Sequence, residues 1–318
     1  MHIPKLSELF KKANPESGWV AMCLSRAGVH VAQVKMIGGR PQVLLCAFHP
    51  VSEISPDALM ELCKEAKLGS AQFTTLLNAS EYQMMLVDAP NVPLAELKTA
   101  IRWRIKDALN YHVDDATVDV LQIPARHNAG DRPQSLYAVA ASNETIKKRM
   151  ALFEKAKMDI QAIDIPEMAQ RNIAALFEQS GRGLALLVFD DSGGLLTFTC
   201  DGELYLARRI EVTAGQLQDV VADARQQSVE RVEIEVQRSL DYFDRQYHHI
   251  NVARLLIAAP DSAGLIKTLK VDLSFPVEPL ELAQVMDVSA VPDLLNNQFM
   301  TYALPTLGAA LRQERRAL

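Results

Sequence analysis

The sequence is poor in aromatic residues and cysteine, and it has no long apolar run. Phe, Trp and Tyr make up 6% of its 318 residues, so aliphatic side chains must build most of the core. The four cysteines, Cys23, Cys46, Cys63 and Cys200, include no CxxC pair. That spacing points away from a disulfide framework and towards free thiols in a reducing compartment. No stretch of ~18 uncharged apolar residues exists, which excludes a spanning helix. The N-terminus lacks the apolar segment of a secretory signal, so a cytoplasmic location is expected. GxSxG, GxxxxGK[ST], HExxH and a complete GxGxxG are all missing. The net charge is −6, and nucleic acid is excluded as a partner because phosphate binding needs a clustered positive footprint. His248 and His249 are adjacent, cannot share a helix face and have no third ligand nearby, so no metal is expected.

What is present is 49% hydrophobic residues, enough for one large domain or two lobes. Residues 1–14 are a basic amphipathic segment. In it Leu6, Leu9 and Phe10 share one helical face, ringed by Lys5, Lys11 and Lys12. Residues 1–13 read either as a peripheral membrane or partner contact, or as a terminus packed on its own domain. From Trp19 the apolar period becomes two, which predicts strands over 19–24, 29–36 and 42–48. A helix from Pro56 to about Leu68 and a strand over 73–78 follow. Residues 83–165 read as an inserted α+β unit of order βαββαβ. Its helices start after Pro93 and at the cap Ser142, and its last strand is 160–165. After a helix from Pro166, the opening pattern returns as strands 184–190, 194–200 and 203–210. A single long helix is expected over 214–246, striped by Val229, Val232, Val236, Leu240, Phe243 and Tyr247. Strand 254–259, helix 262–270 and a closing helix over 299–313 complete the chain.

A three-strand meander followed by a helix therefore occurs twice, about half a chain apart. Such duplication predicts two lobes facing each other across a cleft. The first lobe is assigned residues 15–82 with 166–182 and 298–318, and the second 183–297. In that plan the first turn of each lobe projects into the cleft. A phosphate-binding turn needs glycine for close approach and an acid to hold Mg²⁺ through water. The first turn instead offers Cys23 at the acid position, then Ser25, a bulky Arg26 and a late Gly28. The second reads Asp190-Asp191-Ser192-Gly193-Gly194. Its two acids repel a triphosphate unless a metal bridges them, and ordinary hairpin-turn chemistry explains the same residues. Pro260 stands where a base-binding Gly-Gly step belongs, and it removes a donor. All three elements are degraded.

The stretches Ala100-Ile101-Arg102-Trp103, Ala108-Leu109-Asn110-Tyr111 and Asp114-Asp115-Ala116-Thr117-Val118-Asp119 resemble the inserted subdomain of PilM-type pilus proteins. The resemblance continues through 202–210, 235–243 and 302–312, nearly the whole chain from residue 18. Within that family the chain looks most like the MshI branch of MSHA pilus biogenesis. The resemblance implies an α/β, actin-like (ribonuclease H-like) two-lobed fold with the inserted βαββαβ subdomain. It implies a place at the cytoplasmic face of the bacterial inner membrane. The implied partners are the short cytoplasmic tail of a bitopic PilN-like protein and other pilus platform components. PilM-type proteins carry Asp-Ile-Gly-Ser-Ser-Ser-Val-Lys at the first turn and bind ATP. Here Cys23, Ser25 and His30 replace the acid, a glycine and the lysine, so ATP binding is not carried over.

The expectation is therefore a scaffold and pseudo-ATPase with no catalytic residue, cofactor or metal. Two alternatives stand beside it. One is an actin-like ATPase that uses Asp190 or Asp191 for Mg-ATP; the other is the cytoplasmic subunit of a type II secretion platform. Arg102, Trp103 and Arg104 are the candidate partner-binding residues, because Trp103 lies off the stripe of Leu97, Ile101 and Ile105. The plainer reading of Trp103 is packing between the insert and its lobe. Across the cleft, Arg26 is expected to pair with Asp190 or Asp191 in place of a ligand.

Overall fold

A computed structural model describes residues 18–68, 71–124, 134–260, 262–273 and 275–313. The 1–14 segment, with Leu6, Leu9 and Phe10, lies outside the described residues. The first lobe opens with an antiparallel meander of β1 (Trp19–Ser25), β2 (Gly28–Ile37) and β3 (Arg40–Pro50). Strand alternation sends Val20, Met22 and Leu24 to one apolar cluster and Ala21 to another, so the sheet is covered on both faces. Helix α1 (Pro56–Glu65) starts on a proline, and the Ser55 side chain accepts from the Ala58 N–H. Strand β4 (Gln72–Leu76) returns parallel to β1.

The insert follows as β5 (Tyr82–Asp88), α2 (Leu94–Arg104), β6 (Ala116–Gln122) and β7 (Ser135–Ser142). Its antiparallel sheet has the order β5-β7-β6, and Leu97 and Ile101 of α2 pack against it. Helix α3 (Asn143–Lys155) is capped by Ser142, as expected, and strand β8 (Ile160–Asp164) follows. These last two elements correct the βαββαβ unit and its boundary at residue 165. The order along the chain holds. However, β8 pairs in parallel with β4, and Phe153 of α3 packs with Leu59 and Leu62 of α1. The insert therefore closes at β7, and α3 and β8 belong to the first lobe. Their apolar faces are better covered there than by a small three-stranded sheet.

Helix α4 (Pro166–Ala174) leads to the second meander, β9 (Gly183–Asp190), β10 (Gly193–Cys200) and β11 (Glu203–Ile210). The expected single helix over 214–246 is interrupted. Short α5 (Ala214–Leu217) carries a capping box of Thr213 and Gln216. The Asp219 side chain then accepts from the Val221 N–H at 2.9 Å, a local bond that competes with the helix, and α6 (Ala222–Gln246) starts afresh. Strand β12 (Val252–Ala258), α7 (Ser262–Asp272) and β13 (Val277–Pro279) finish the lobe, and α8 (Asn297–Ala310) returns to pack on β1 and β2 of the first.

The duplication is more complete than the sequence shows. The two main sheets run β3-β2-β1-β4-β8 and β11-β10-β9-β12-β13, the same order built from corresponding elements. Helices α4 and α8 lie between them. Ala169 and Ile173 of α4 and Leu304 and Leu307 of α8 share one core with Ala21 and Val34 of one sheet and Leu186 and Leu256 of the other. Asp287, in the link from β13 to α8, bridges in parallel to Gln42 on the edge strand β3.

Candidate functional site

Both expected turns reach the cleft. They are two-residue hairpins closed by the pairs Ser25 with Gly28 and Asp190 with Gly193. Gly28 has a φ of +152°, and a Cβ there would meet the His49 carbonyl oxygen at 2.2 Å, so only glycine fits. Between the turns lies a cavity of about 810 Å³. It is lined by Cys23, Ser25, Ala27, His30 and Phe48 of the first meander, and by Leu77 and Asn78 after β4. The opposite wall carries Val188 and the 190–193 turn, and Phe299, Tyr302 and Thr306 of α8 close it.

The chemistry of these groups is specific. Burial pushes the Cys23 thiol up to about 11, against an opposing hydrogen bond from Thr306, so it is a neutral group where a carboxylate would be needed. Burial also lowers the His30 pKa, which leaves the imidazole neutral near pH 7. Asp190 is engaged within its own turn, with Oδ1 accepting from the Ser192 N–H at 2.7 Å and from its hydroxyl at 2.5 Å. Asp191 Oδ1 accepts from the Tyr302 hydroxyl at 2.9 Å. Burial first, and then Asp191, raise the Tyr302 pKa to about 12, so the phenol stays a donor at neutral pH.

Two expectations fail here. Arg26 sits at the tip of its hairpin, exposed and outside the cavity wall. Among the described residues it forms no ion pair with Asp190 or Asp191, which are tied to Ser192 and Tyr302 instead. Of the two tip residues, Ala27 faces the cavity and Arg26 is exposed. Pro260 lies two residues past β12, beside Asn297, whose amide donates to the Ala259 carbonyl at 2.6 Å, and it does not line the cavity.

No local sequence pattern marks the polar frame beneath the cleft. Glu167 of α4, which is 3% exposed, accepts from Arg209 of β11 at 2.9 Å and from the Tyr82 hydroxyl of β5 at 2.5 Å. Burial opposes the Arg209 charge, but Glu167 and Tyr82 outweigh it and hold its pKa above the ordinary value. This triad ties the second lobe, the central helix and the insert together. Gln170 donates to the carbonyls of Leu186 and Leu195 at 2.7 and 2.9 Å. Arg149 of α3, 6% exposed, donates to the Leu76 carbonyl at 2.6 Å and to Glu81 at 2.7 Å. It thereby shapes the loop that carries Leu77 and Asn78.

The candidate partner residues lie apart from the cavity, on the insert. Arg102 Nε donates to the Val113 carbonyl at 2.9 Å, and Arg104 Nη1 to the Asp88 carbonyl at 2.5 Å. Trp103 between them is 56% exposed, so it does not serve as a buried packing residue. Among the described residues no helix is long and apolar enough to cross a membrane.

No family description and no curated protein matches the sequence. Solved structures do match. The PilM-PilN type IV pilus biogenesis complex superposes with a TM-score of 0.69 at 18% identity, over 93% of this chain and 98% of that one. The cytoplasmic domain of EpsL, an inner-membrane component of the type II secretion system of Vibrio cholerae, gives 0.46 at 13%, over 77% and 83%. A Bacteroides thetaiotaomicron protein with an actin-like ATPase fold gives 0.49 at 12%, over 90% and 98%. At these identities the likeness is one of fold: the two-lobed α/β fold is shared almost end to end with the PilM-PilN structure.

Proposed function

We propose that the chain is a non-catalytic scaffold of a type IV pilus assembly platform of the MSHA type. In this reading it binds the cytoplasmic N-terminal tail of a PilN-like inner-membrane protein and holds no ATP. The observation that carries the reading is the near full-length match to a structure solved as a PilM-PilN complex. The tail holds the scaffold at the inner face of the inner membrane, where other platform components assemble on it. The exposed Trp103 on the insert is the first candidate contact, since Trp anchors are frequent binding hot spots.

The cleft chemistry supports the part of this reading in which ATP is not bound. The acid position holds a neutral thiol, no lysine is among the described residues lining the cavity, and Asp190 is occupied by its own turn. Arg209, the only arginine among the lining residues, is neutralised by Glu167. A bare triphosphate would meet these carboxylates with no free cationic side chain among the described lining residues; only a bridging Mg²⁺ could offset them, and the neutral thiol at the acid position does not support that ion.

Calorimetry with synthetic tails of the neighbouring inner-membrane components tests the partner. Binding is expected, weakened by Trp103→Ala; no binding to any tail overturns the reading. Thermal denaturation with Mg-ATP tests the cleft. A ligand at a hundred times its Kd stabilises by about 2.7 kcal/mol. No shift is expected, and a shift abolished by Asp190→Ala would favour the actin-like ATP-binding alternative instead.

A further inference from the structure

We propose that the interlobe cavity is a binding site for a small, largely apolar organic cation. This deepens the scaffold reading and depends on it only in that the cleft holds no nucleotide. The volume of about 810 Å³ lies within the roughly 300–1,000 Å³ typical of small-molecule sites. The cavity is built by both lobes and has not been filled by the large side chains that a discarded cleft could accept.

Its walls select the ligand. Aliphatic groups alternate with the rings of Phe48, Phe299 and Tyr302, and aromatic rings attract organic cations. Phe48 is held by His30, with ring centroids 4.5 Å apart. Three carboxylates, Asp190, Asp191 and Asp293, line the same space. The two basic groups that face them do not compensate. Arg209 donates to Glu167 and Tyr82, at 2.9 and 2.6 Å, and burial keeps His30 neutral. Asp191 uses Oδ1 for Tyr302, and no bond to its Oδ2 is formed among the described residues. The site therefore presents an uncompensated negative charge beside apolar and aromatic walls. A quaternary or primary ammonium on an apolar body satisfies both, and an anion of the same size satisfies only the second.

The test uses two probes of similar size and opposite charge, benzyltrimethylammonium and phenylacetate, titrated into the full chain by NMR and thermal denaturation. The ammonium is expected to bind saturably, to shift signals of cavity residues and to raise Tm, while phenylacetate does neither. Asp191→Asn, which keeps a group able to accept from Tyr302, is expected to weaken the ammonium at least about tenfold. Phe48→Leu is expected to weaken it as well, without affecting the fold. Three results overturn the proposal: no saturable ammonium binding, equal binding of phenylacetate, or ammonium binding indifferent to both substitutions. Failure here with intact tail binding leaves the scaffold reading standing. Binding of Mg-ATP with no tail binding would remove that reading by itself.

Discussion

Replacing Gly308 with alanine tests whether the two central helices meet backbone to backbone. In an isolated helix the change is favourable, because Gly costs about 1 kcal/mol relative to Ala. At this contact it is not. A Cβ on residue 308 would lie 2.1 Å from the Ala169 carbonyl oxygen, 2.6 Å from its carbon and 3.0 Å from its Cα. Comfortable contact needs about 3.5 Å, so α4 and α8 must separate by about 1 Å or more. The obstacle is backbone and cannot rotate aside as a side chain would. Separation also stretches the bond from Asn172 Nδ2 to the Gly308 carbonyl, now 2.9 Å, and loosens Leu304 and Leu307 in the shared core. Overpacking costs about 1–3 kcal/mol, and a rigid obstacle places this site at the upper end. Set against the helix gain, the net destabilisation is about 2 kcal/mol. With an unfolding entropy of about 2.1 cal/mol/K per residue, that lowers Tm by roughly 3 °C. Scanning calorimetry and urea titration of the two proteins measure it. An unchanged or raised Tm would mean that the helix gain wins and that the close approach of α4 and α8 is misread.

Three further outcomes are expected. Glu167→Ala removes the carboxylate that accepts from both Arg209 and the Tyr82 hydroxyl and leaves only their bond to each other. Because the Arg209 side chain is 38% exposed and can turn to water, the loss should be about 2–3 kcal/mol by urea titration, below the full penalty of a broken buried pair. A loss under about 1 kcal/mol would show that the triad does not hold insert and lobe together. Arg149→Met removes the buried donor to the Leu76 carbonyl and leaves the half-buried Glu81 with the Asn78 N–H alone, and should cost about 2–3 kcal/mol. A near-neutral effect refutes this. Stability should also fall in alkali. Cys23 is raised from 9.0 to about 11 and Tyr302 from 10.0 to about 12, both chiefly by burial. Groups raised in the folded state contribute stability that is intact below their unfolded pKa and lost as pH rises through the folded value. Urea midpoints should hold from pH 7 to 9 and decline towards pH 11–12, less steeply in Cys23→Ala; a midpoint level to pH 11 contradicts the burial of these groups.

The strands and caps were readable because their signals are local. Alternation from Trp19 and from residue 184, the Ser55-Pro56 start and the Ser142 cap each act within a few residues. The sheet that receives β8 was not readable, because strand order along a chain does not encode a pairing partner. The break at 218–221 had a signal in Asp219, but the apolar stripe of α6 invited extension backwards. The cleft was located through its duplicated turns, and Cys23, Ser25 and Asp190 to Gly193 do line it. Arg26 and Pro260 were misplaced, since turn position alone does not say which way a side chain faces. Tyr302 was missed because its bond to Asp191 spans 111 residues, and Arg209 because its partner lies 42 residues away. Long-range polar contacts leave no periodic trace.

What keeps the cleft in shape decides how a ligand could use it. An ion pair across the mouth, Arg26 with an acid, would have made a weak latch that a ligand could replace. Among the described residues there is no such latch, and the cleft is closed from below. The Tyr302–Asp191 bond is exposed, and such a bond contributes about 0.5–1.5 kcal/mol. The core shared by α4, α8 and both sheets buries Ile173, Leu186, Leu256, Met300, Leu304 and Leu307, each worth about 1.5–3 kcal/mol. Separating the lobes means exposing that core, a cost far above anything the mouth supplies. Cleft width is thus set by helix packing and does not depend on an occupant. A ligand there meets a preformed cavity and loses little affinity to reorganisation. By the same argument, Glu167, where α4, β11 and β5 meet, is a rigid polar link between the helix beneath the cleft and the insert.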